Sequence, residues 1–359
     1  MSKILIIAAG NAQIDAIEYL KKKGNEVYTC SYIKDDLGSK YADHFEQIDI
    51  KDIDAIDKYV KENAIDLVYS VGSDLAMPTV MKVSELNGLP HFVSFDVACN
   101  CQNKSKMRTQ LGNNFEGNIE YEVAETIDEL RKYNMFPAIM KPVDSQGQRG
   151  CIEVNNYHEI ACNFEKSIGY SKEKKVIVER YIDGDEISVN AYMKNGELVV
   201  SVISDRISFE EYPGGIIKKH ILPSKYSNSE SALEIKKIVC EAAKKMGILN
   251  GPVYYQIKVM EGRPCILEMT PRLDGCHMWR AIKKYCGIDF LELTFNDLIY
   301  FSKGKELEFL CEKPNEIFDR KKYDVEDVDY LQWYYQSGET VKTMNGYMEK
   351  GGYKIVETK

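Results

Sequence analysis

The sequence has no apolar run of membrane-spanning length and no excess of positive charge. Its 359 residues carry 47 Lys and Arg against 56 Asp and Glu, which gives a formal net charge of −9. An acidic chain has no general attraction for nucleic acid or for anionic membranes, so we expect neither as a partner. The apolar run at residues 1–10 is too short for a signal peptide, and we therefore expect a cytoplasmic protein.

Patterns typical of zinc sites are missing as well. Cys99 and Cys101 form the one close pair among the 10 cysteines, and they lack both zinc spacing and a second pair nearby. Most other cysteines stand at apolar positions of predicted strands and helices, which is typical of buried, reduced thiols. The five histidines are scattered without a metal-ligand pattern.

The N-terminal part is poor in the glycines that a dinucleotide site needs. After the apolar run at residues 4–9, the loop AAGNAQ has one glycine where the dinucleotide-binding pattern has three, which argues against a hydride-transfer enzyme. Strand and helix patterns nevertheless alternate, so we predict a doubly wound parallel sheet. The predicted strands are residues 4–9, 27–31, 66–71 and 89–94, and helices are predicted at 52–63 and 77–87.

A polar tripeptide, Gly72-Ser73-Asp74, follows the third of these strands, at the end where parallel sheets bind ligands. A helix N-cap at Ser73 or Asp74 explains it equally well. Both interpretations stay open at the level of sequence.

Beyond residue 95 the pattern mixes helices with hairpins. A predicted helix at 100–112 carries Lys104, Lys106 and Arg108, and a polar loop with two glycines spans 142–150. Such a loop has free backbone N–H groups that can cover phosphates. Further helices are predicted at 126–133 and 157–169, strands at 136–141 and 176–182, a hairpin turn at Asn195-Gly196, a capping box at Ser227 and Glu230, and short strands in the last fifty or so residues.

The stretch at residues 253–275 predicts two strands around a turn, each with one polar face. A three-residue turn at 261–263 would place Gln256 opposite Glu268, whereas a two-residue turn would place Leu267 there. With the longer turn Gln256, Glu268 and Thr270 converge, and Arg272 follows. Oxygen ligands beside a cation indicate Mg²⁺ held against phosphate. The alternative is an ordinary solvated hairpin.

Four features in sequence order resemble the ATP-grasp superfamily. Lys141 ends an apolar strand before the loop at 142–150, and Lys104 lies on the preceding helix. The segment VIVERYIDGDE has an acidic residue on a strand and a second acid seven residues later. The hairpin at 253–275 is the fourth feature. The resemblance covers residues 100–275 and is closest to the carbamoyl phosphate synthetase and carboxylate–amine ligase branch, because Gln256 stands where most members have an acid. Thr270 stands where Asn is usual.

The resemblance implies a role for each of these residues. Lys104 and Lys141 would neutralise nucleotide phosphates beneath the flap at 142–150, and Arg272, with Lys141, would act on the transferring phosphoryl group. Residues expected to bind the nucleotide are Lys104, Lys141, Ser145, Gln146, Gly147, Glu179, Arg180, Ile182 (through its backbone) and Glu186 (at the ribose hydroxyls). Those expected to bind Mg²⁺, with Mn²⁺ as an alternative, are Gln256, Glu268 and Thr270.

The resemblance also implies the architecture. We expect an α/β chain, α+β overall, in which an N-terminal doubly wound parallel sheet precedes an ATP-grasp fold of two α+β subdomains clamping ATP. The expected divisions are an α/β domain at 1–98, the ATP-grasp domain at 99–302 with a lid subdomain at about 110–183, and a small β-rich segment at 303–359 packing on it.

The activity implied is an ATP-dependent ligase that makes an acyl phosphate from a small carboxylic acid and passes it to an amine or a thiol. Alternatives are bicarbonate phosphorylation, as in carbamoyl phosphate synthetase or biotin carboxylase, and a catalytically weak ATP-binding regulator. Substrate contacts are expected from Arg206, His220 and His277, although Arg206 fits a surface salt bridge and His220, after the turn at 212–215, fits a solvated loop equally well. For His277 we favour a capped loop residue over a general base. Acidic α/β chains often pair, so a homodimer is expected.

Overall fold

The structure is a computed structural model that describes residues 1–145, 147–209, 216–299, 305–326, 328–344 and 347–357. The chain forms two compact units, Met1–Phe295 and Asn296–Lys359. The finer division at residues 98 and 302 remains a prediction. Within the described ranges, no helix has both the length and the apolar character needed to cross a membrane.

A parallel sheet opens the chain, as the alternating pattern predicts. Its strands are β1 (Lys3–Ile7), β2 (Glu26–Cys30), β3 (His44–Glu46) and β4 (Leu67–Tyr69). They stand in the order β3-β2-β1-β4, and Ile4 to Ile7 are fully buried, as expected of a central strand. Because β4 lies on the other side of β1 from β2, the strand order reverses between β1 and β4. The loops that follow these two strands therefore meet at one edge, where such sheets bind ligands.

Helices α1 (Asn11–Lys22), α2 (Ile53–Asn63) and α3 (Met77–Asn87) connect and follow these strands. The strand predicted at residues 89–94 is wrong. Pro90 has no N–H to give to a neighbouring strand. Ser94 instead caps helix α4 (Phe95–Gln102), where its hydroxyl accepts a hydrogen bond from Val97 N at 3.3 Å.

The single helix predicted at 100–112 is two helices. Asn103 ends α4 and begins α5 (Lys104–Leu111), and its Oδ1 accepts from Lys106 N at 3.1 Å. An asparagine side chain bonds the backbone better at an N-cap than inside a helix, which explains the break. Lys104 therefore stands at the first residue of α5.

The next sheet is antiparallel, with the strand order β5-β8-β6-β7. Its strands are β5 (Tyr121–Ala124), β6 (Ala138–Pro142), β7 (Ile152–Val154) and β8 (Val176–Arg180), and helix α6 is Tyr157–Ile168. The helix predicted at 126–133 is wrong in type, because Ile127–Leu130 is a 3-10 turn. Its backbone bonds join residues three apart, as from Tyr133 N to Leu130 O at 3.0 Å.

The largest sheet is also antiparallel, with the order β11-β10-β9-β12-β13. Its strands are β9 (Asp185–Lys194), β10 (Glu197–Ser208), β11 (Ile217–Ile221), β12 (Gly251–Met260) and β13 (Arg263–Thr270). Asn195 and Gly196, with φ of 52° and 78°, make the predicted hairpin turn. Helix α7 (Glu230–Lys245) packs on this sheet, and Tyr255 Oη donates to Val239 O at 2.7 Å. The predicted capping box is wrong, since Ser229 precedes α7 and no side chain caps it.

The β12–β13 hairpin confirms the predicted pairing of Gln256 with Glu268 but not the predicted turn. Met260 pairs with Arg263, so the turn has two residues, Glu261 and Gly262, with φ of 51° and 81°. Gln256 reaches Glu268 because Leu267 is an extra, unpaired residue: Ile257 pairs with Ile266 and Gln256 with Glu268. A β-bulge, and not the three-residue turn that we predict from the sequence, thus brings Glu268 opposite Gln256.

Helices α8 (Met278–Cys286) and α9 (Phe290–Ile299) follow the hairpin. The second unit holds β14 (Lys305–Glu312), β15 (Tyr330–Trp333) and β16 (Glu349–Glu357), in the antiparallel order β14-β16-β15. Phe318 is its buried centre, with the rings of Tyr323 and Trp333 5.6 and 5.7 Å away.

Candidate functional site

A cavity of about 500 Å³, which we call the main cavity, is lined by residues of both antiparallel sheets of the first unit. Its volume is in the range of small-molecule sites. The residues around it that the sequence singles out are Lys104, Lys141, Ser145, Gly147, Glu179, Arg180, Ile182, Glu186, Arg206, Gln256 and Glu268. Thr270 and Arg272 line a small cavity of about 40 Å³, which shares Lys104 and Glu268 with the main cavity. Gln146 lies outside the described residues.

Two lysines bring positive charge to the main cavity. Lys104 Nζ donates to Ser145 O at 2.8 Å and lies 3.9 Å from Glu268 Oε1. Lys141, near the end of β6, places its Nζ 2.7 Å from Glu179 Oε2. Both side chains are about nine-tenths buried, at 11% and 12% exposed. Burial lowers the pKa of Lys104, while the charge of Glu268 opposes that change.

Glu179 is held by two cations and is 3% exposed. Its Oε1 accepts from Arg108 Nε at 2.9 Å, and its Oε2 faces Lys141. Burial by itself would raise the pKa of Glu179, but the charges of Arg108 and Lys141 outweigh it and lower the pKa to about 2. Both carboxylate oxygens are therefore occupied, and Glu179 fixes the position of Lys141.

Arg108 is fully buried and joins helix α5 to two strands. Besides Glu179 on β8, its guanidinium donates to Ile266 O at 2.7 Å and Leu267 O at 3.2 Å on β13. These carbonyls stand at the β-bulge, where the regular ladder is interrupted. Arg108 thus supplies hydrogen bonds at the bulge that brings Glu268 opposite Gln256. The sequence pattern predicts no role for Arg108, although Arg108 stands with Met107 and Leu111 on the buried side of α5.

Glu186 and Arg206 form an ion pair on neighbouring strands, inside the main cavity rather than on the surface. Glu186 Oε1 accepts from Arg206 and from Gln256 Nε2. Because the amide nitrogen of Gln256 donates to Glu186, the amide oxygen is the atom that this bond does not use. Glu186 thereby orients Gln256.

The donor set of the hairpin fits a magnesium ion that also binds phosphate. Gln256 and Glu268 are paired across β12 and β13, and the Glu268 side chain is 51% exposed. Mg²⁺ keeps several waters and commonly takes one or two carboxylates with substrate phosphates. Among the described residues there is no group of three His, Cys, Asp or Glu that could hold a metal by itself. Glu268 and Gln256 are the residues of this hairpin that bring side-chain oxygens to the main cavity.

Arg272 is paired with Asp74 and is 7% exposed. Its Nε and Nη2 donate to the two oxygens of Asp74 at 2.6 and 2.7 Å, and its Nη1 donates to Leu273 O at 2.7 Å. Burial would raise the pKa of Asp74, but Arg272 and a hydrogen bond from Thr270 lower it. Asp74 is therefore neither a helix cap nor a free ligand, since it orients Arg272.

The loop after β4 touches the loop after β13 without intervening side chains. A Cβ on Gly72, where φ is 68°, would lie 2.7 Å from Gly275 Cα and 3.2 Å from Ala12 Cβ. Contacts under 3 Å to backbone leave no room for any side chain. The positive φ and the close backbone contact therefore each require glycine at residue 72.

The segment expected to face adenine runs along one edge of the main cavity. Ile182 is buried, and its carbonyl oxygen accepts from Lys258 Nζ at 3.0 Å. Arg180 is exposed and pairs with Glu120 at 3.0 Å. Lys258, Tyr181 and Cys151 also line the cavity, and the sequence pattern did not single them out.

His220 and His277, the histidines expected to contact substrate, are not among the lining residues of either cavity. His220 pairs through Nδ1 with Ser204 Oγ at 3.2 Å, and the turn at 212–215 before it lies outside the described residues. His277 Nδ1 lies 2.9 Å from Asp15 Oδ2 on α1. Asp15 also accepts from Trp279 and Arg280, so this cluster ties α1 to the start of α8.

Comparisons with known proteins relate part of the chain to a known family. Residues 134–279 match the family model described as the ATP-grasp domain. The chain is 25% identical over 326 residues to alanine–anticapsin ligase of Bacillus amyloliquefaciens, an alignment that covers 81% of this chain and 65% of that protein. It is 19% identical over 291 residues to the arginine-specific large chain of carbamoyl phosphate synthase of Eremothecium gossypii, covering 78% and 26%. The chain thus spans about two thirds of the first relative and about a quarter of the second.

A solved structure shows the same fold over nearly the whole chain. The biotin carboxylase domain dimer of Hydrogenobacter thermophilus 2-oxoglutarate carboxylase, in complex with MgADP, ADP and bicarbonate, superposes with a TM-score of 0.71. The alignment covers 99% of this chain and 86% of that one at 15% identity. At that identity the likeness is one of fold.

Proposed function

We propose, from the premise that this chain carries an ATP-grasp domain, that it is an ATP-dependent ligase joining a small carboxylic acid to an amine. The relative from Bacillus amyloliquefaciens supports this reaction class, since its name describes the ligation of alanine to anticapsin. The fold and the family match agree with it. The substrates themselves are part of the proposal.

The observation that carries the proposal is the placement of charge around the main cavity. Lys104 and Lys141 bring positive charge to its wall, and Gln256 and Glu268, whose Oε1 lies 3.9 Å from Lys104 Nζ, bring oxygen atoms to the same wall. A polyphosphate needs cations along its oxygens, and the Mg²⁺ that accompanies it needs hard oxygen ligands. The main cavity offers both.

In the proposed nucleotide complex, Lys104 and Lys141 contact the phosphates and Glu186 receives the ribose hydroxyls. Adenine lies along residues 179–182, where the backbone of Ile182 and the side chain of Arg180 border the cavity. Ser145 and Gly147 cover the phosphates from the loop after β6. Gly147 has a φ of 62°, a backbone conformation that suits a tight loop over a ligand.

In the proposed reaction, an oxygen of the substrate carboxylate attacks the γ-phosphorus of ATP, and ADP leaves. The nitrogen of the amine then attacks the carbon of the resulting acyl phosphate, inorganic phosphate leaves, and the nitrogen loses a proton. Such chemistry depends mainly on orientation and charge stabilisation. Mg²⁺, which Gln256 and Glu268 would hold with Thr270 nearby, neutralises phosphate charge when bound.

The residues of the chain orient the reactants. Lys104 and Lys141 hold the phosphoryl oxygens, and Glu179 holds Lys141. Arg272 uses three of its five N–H groups on Asp74 and Leu273. It keeps one N–H on each terminal nitrogen for a phosphoryl or carboxylate oxygen.

The test is ADP release from ATP with pairs of small carboxylates and amines. ADP should appear only when both are supplied, and Glu268→Ala should abolish it. Glu62→Ala is the matched control, because Glu62 lies on helix α2 and its side chain is 60% exposed. Tight ATP binding without turnover on any pair would contradict the ligase and favour an ATP-binding regulator.

Bicarbonate phosphorylation is a second candidate. Gln256 favours it, since the sequence resembles the carbamoyl phosphate synthetases at this residue, and several relatives are such synthases. ADP release stimulated by bicarbonate alone, with no other carboxylate, would support this candidate over the first.

A further inference from the structure

Polar side chains continue past the main cavity on the same face of the largest sheet. Gln256, which lines the cavity, pairs with Ser188, and one step further along the strands Tyr254 pairs with Asn190. Ser204 stands opposite Ser188 on β10, and His220 stands opposite Arg206 on β11. With Asp274 from the loop after β13, these residues form what we call the polar cluster: Ser188, Asn190, Ser204, His220, Tyr254 and Asp274.

Three buried atoms of the polar cluster have no hydrogen-bond partner among the described residues. They are Asp274 Oδ2, Asn190 Nδ2 and His220 Nε2. Asp274 is 1% exposed and Asn190 is 4% exposed. An unsatisfied buried polar atom is costly, and most for a charged group, so folded proteins seldom keep one without a reason. Three of them in one cluster, which adjoins Gln256 and Arg206 of the main cavity, indicate that a ligand completes the set.

Other polar atoms of the cluster have hydrogen-bond partners. Asp274 Oδ1 accepts from Cys276 N, Ser204 Oγ pairs with His220 Nδ1 at 3.2 Å, and Ser188 Oγ pairs with Tyr254 Oη at 3.2 Å. These contacts fix the side chains of Asp274 and His220 and leave Asp274 Oδ2 and His220 Nε2 without a partner among the described residues. Asp274 also acts on its neighbours: burial lowers the pKa of His220 and raises the pKa of Tyr254, and the charge of Asp274 raises both. Thr270 at the end of β13 pairs with Tyr254 on β12, so the loop that carries Asp274 begins beside the cluster.

We propose that Asp274 Oδ2 binds the ammonium group of an α-amino acid, whose own carboxylate faces the main cavity. The inference rests on the proposed ligase function and names the class of its carboxylic substrate. Asn190 Nδ2 supplies a donor for an oxygen of the same substrate. An ammonium nitrogen held by Asp274 stays protonated, so it has no lone pair with which to attack an acyl phosphate. The amino acid bound here is thus the one that is phosphorylated, and the amine that attacks comes from the second substrate.

This assignment separates substrates by charge. A carboxylate without an amino group would leave Asp274 Oδ2 unpaired, and a dicarboxylate or bicarbonate would bring negative charge toward it. A site built to bond a substrate N–H discriminates strongly against the analogue that lacks it, because the buried partner is then left unsatisfied.

The test compares amino acids with their deaminated counterparts. Wild type, Asp274→Asn and Asp128→Asn are assayed for ADP release with ATP, hydroxylamine as a general trap for acyl phosphates, and each L-amino acid or the matching acid without its amino group, such as alanine and propionate. Asn is isosteric and keeps an acceptor for Cys276 N. Asp128 is an exposed control for the same change of charge.

We expect wild type to use at least one amino acid with a kcat/KM about tenfold or more above that of its deaminated counterpart. In Asp274→Asn this ratio should fall close to one, with the KM for ATP unchanged, and Asp128→Asn should behave as wild type. A ratio compares two substrates on one preparation, so partial misfolding of a variant does not alter it. A ratio unchanged by Asp274→Asn overturns the inference and leaves the ligase proposal standing.

Calorimetric titration of the ADP-loaded protein with the same acids keeps the two proposals apart. If no acid draws ADP release but an amino acid binds to wild type and not to Asp274→Asn, the ligase proposal fails and the inference stands. If wild type neither turns over nor binds any amino acid, both are overturned.

Discussion

Arg272 and Asp74 are joined by two parallel N–H···O bonds, of 2.6 and 2.7 Å, although 198 residues separate them in the sequence. Asp74 follows the last strand of the N-terminal parallel sheet, and Arg272 follows the hairpin that carries Gln256 and Glu268. Paired planar groups of this kind fix orientation as well as charge. The N-terminal sheet therefore sets the direction of an arginine that we place beside the reacting phosphoryl group.

Removing Asp74 should destabilise the protein. Asp74→Ala leaves the buried guanidinium of Arg272 without its counter-charge, and we expect the free energy of unfolding to fall by about 3 kcal/mol. Urea unfolding followed by circular dichroism measures it. In the control Asp128→Ala, the lost pair with Arg131 has both side chains 69% exposed. That pair should be worth less than about 1 kcal/mol. Equal losses in the two variants would contradict the assignment.

The Arg108–Glu179 pair should make stability depend on pH in the acid range. The pKa of Glu179 is lowered from 4.5 to about 2 in the folded protein. The contribution of its ionised form to the free energy of unfolding is therefore fully present above pH 4.5 and is lost as the pH falls toward 2. Arg108→Met removes the first of the two charges that lower this pKa. The variant should be less stable at neutral pH, and its stability should decline less steeply between pH 4.5 and 2.

The measurement is urea unfolding across that pH range for wild type and Arg108→Met. Other carboxylates titrate in both proteins, so the difference between the two curves reports Glu179. Arg131→Met, which removes an exposed arginine, should give a constant difference from wild type. Parallel curves for Arg108→Met would refute the proposed coupling.

Lys141→Ala should weaken ATP binding. One charge-assisted contact to phosphate is worth about 1.5–3 kcal/mol, or about a 10- to 150-fold rise in Kd. Calorimetric titration with MgATP gives the value directly. Lys132→Ala is the control, because Lys132 is exposed and outside the main cavity. Unchanged affinity in Lys141→Ala would rule out its phosphate role.

Lys104 should make ATP binding sensitive to alkaline pH. Burial lowers its pKa below the ordinary 10.5, so it loses its charge earlier than other lysines as the pH rises. The affinity for ATP should therefore decline as the pH rises toward 10.5. Arginine stays charged over this range, so Lys104→Arg should remove the decline even if its affinity at neutral pH is lower. Identical pH profiles would count against Lys104 as a phosphate contact.

The β12–β13 hairpin shows how far the sequence can be taken. Alternation of apolar and polar residues predicted that Gln256 and Glu268 share a face, and they do. The same alternation could not locate the bulge at Leu267, because a bulge and a longer turn shift the register by the same single residue. What holds the bulge is Arg108, which is 158 residues away from Ile266 in sequence.

Partners distant in the chain are the general reason why parts of the site escaped prediction. Asp74 has a local interpretation as a cap, and nothing near it in sequence points to Arg272. The motif that contains Glu179 predicts a place beside the nucleotide, but nothing near it in sequence indicates that Arg108 and Lys141 hold its two oxygens. Asp274 carries no motif, and only its burial with a free oxygen draws attention to it.

The contact between Gly72 and Gly275 has a mechanical consequence. Side chains give an interface its slack, because changes of rotamer absorb small displacements. Two backbones in direct contact have no side chains that can move aside. A shift of the loop after β4 toward Gly275 therefore displaces the loop that carries Asp274. A displacement of the N-terminal sheet would therefore change the position of Asp274 in the proposed amino acid subsite. The sheet has this effect although none of its atoms touches the nucleotide in our proposal.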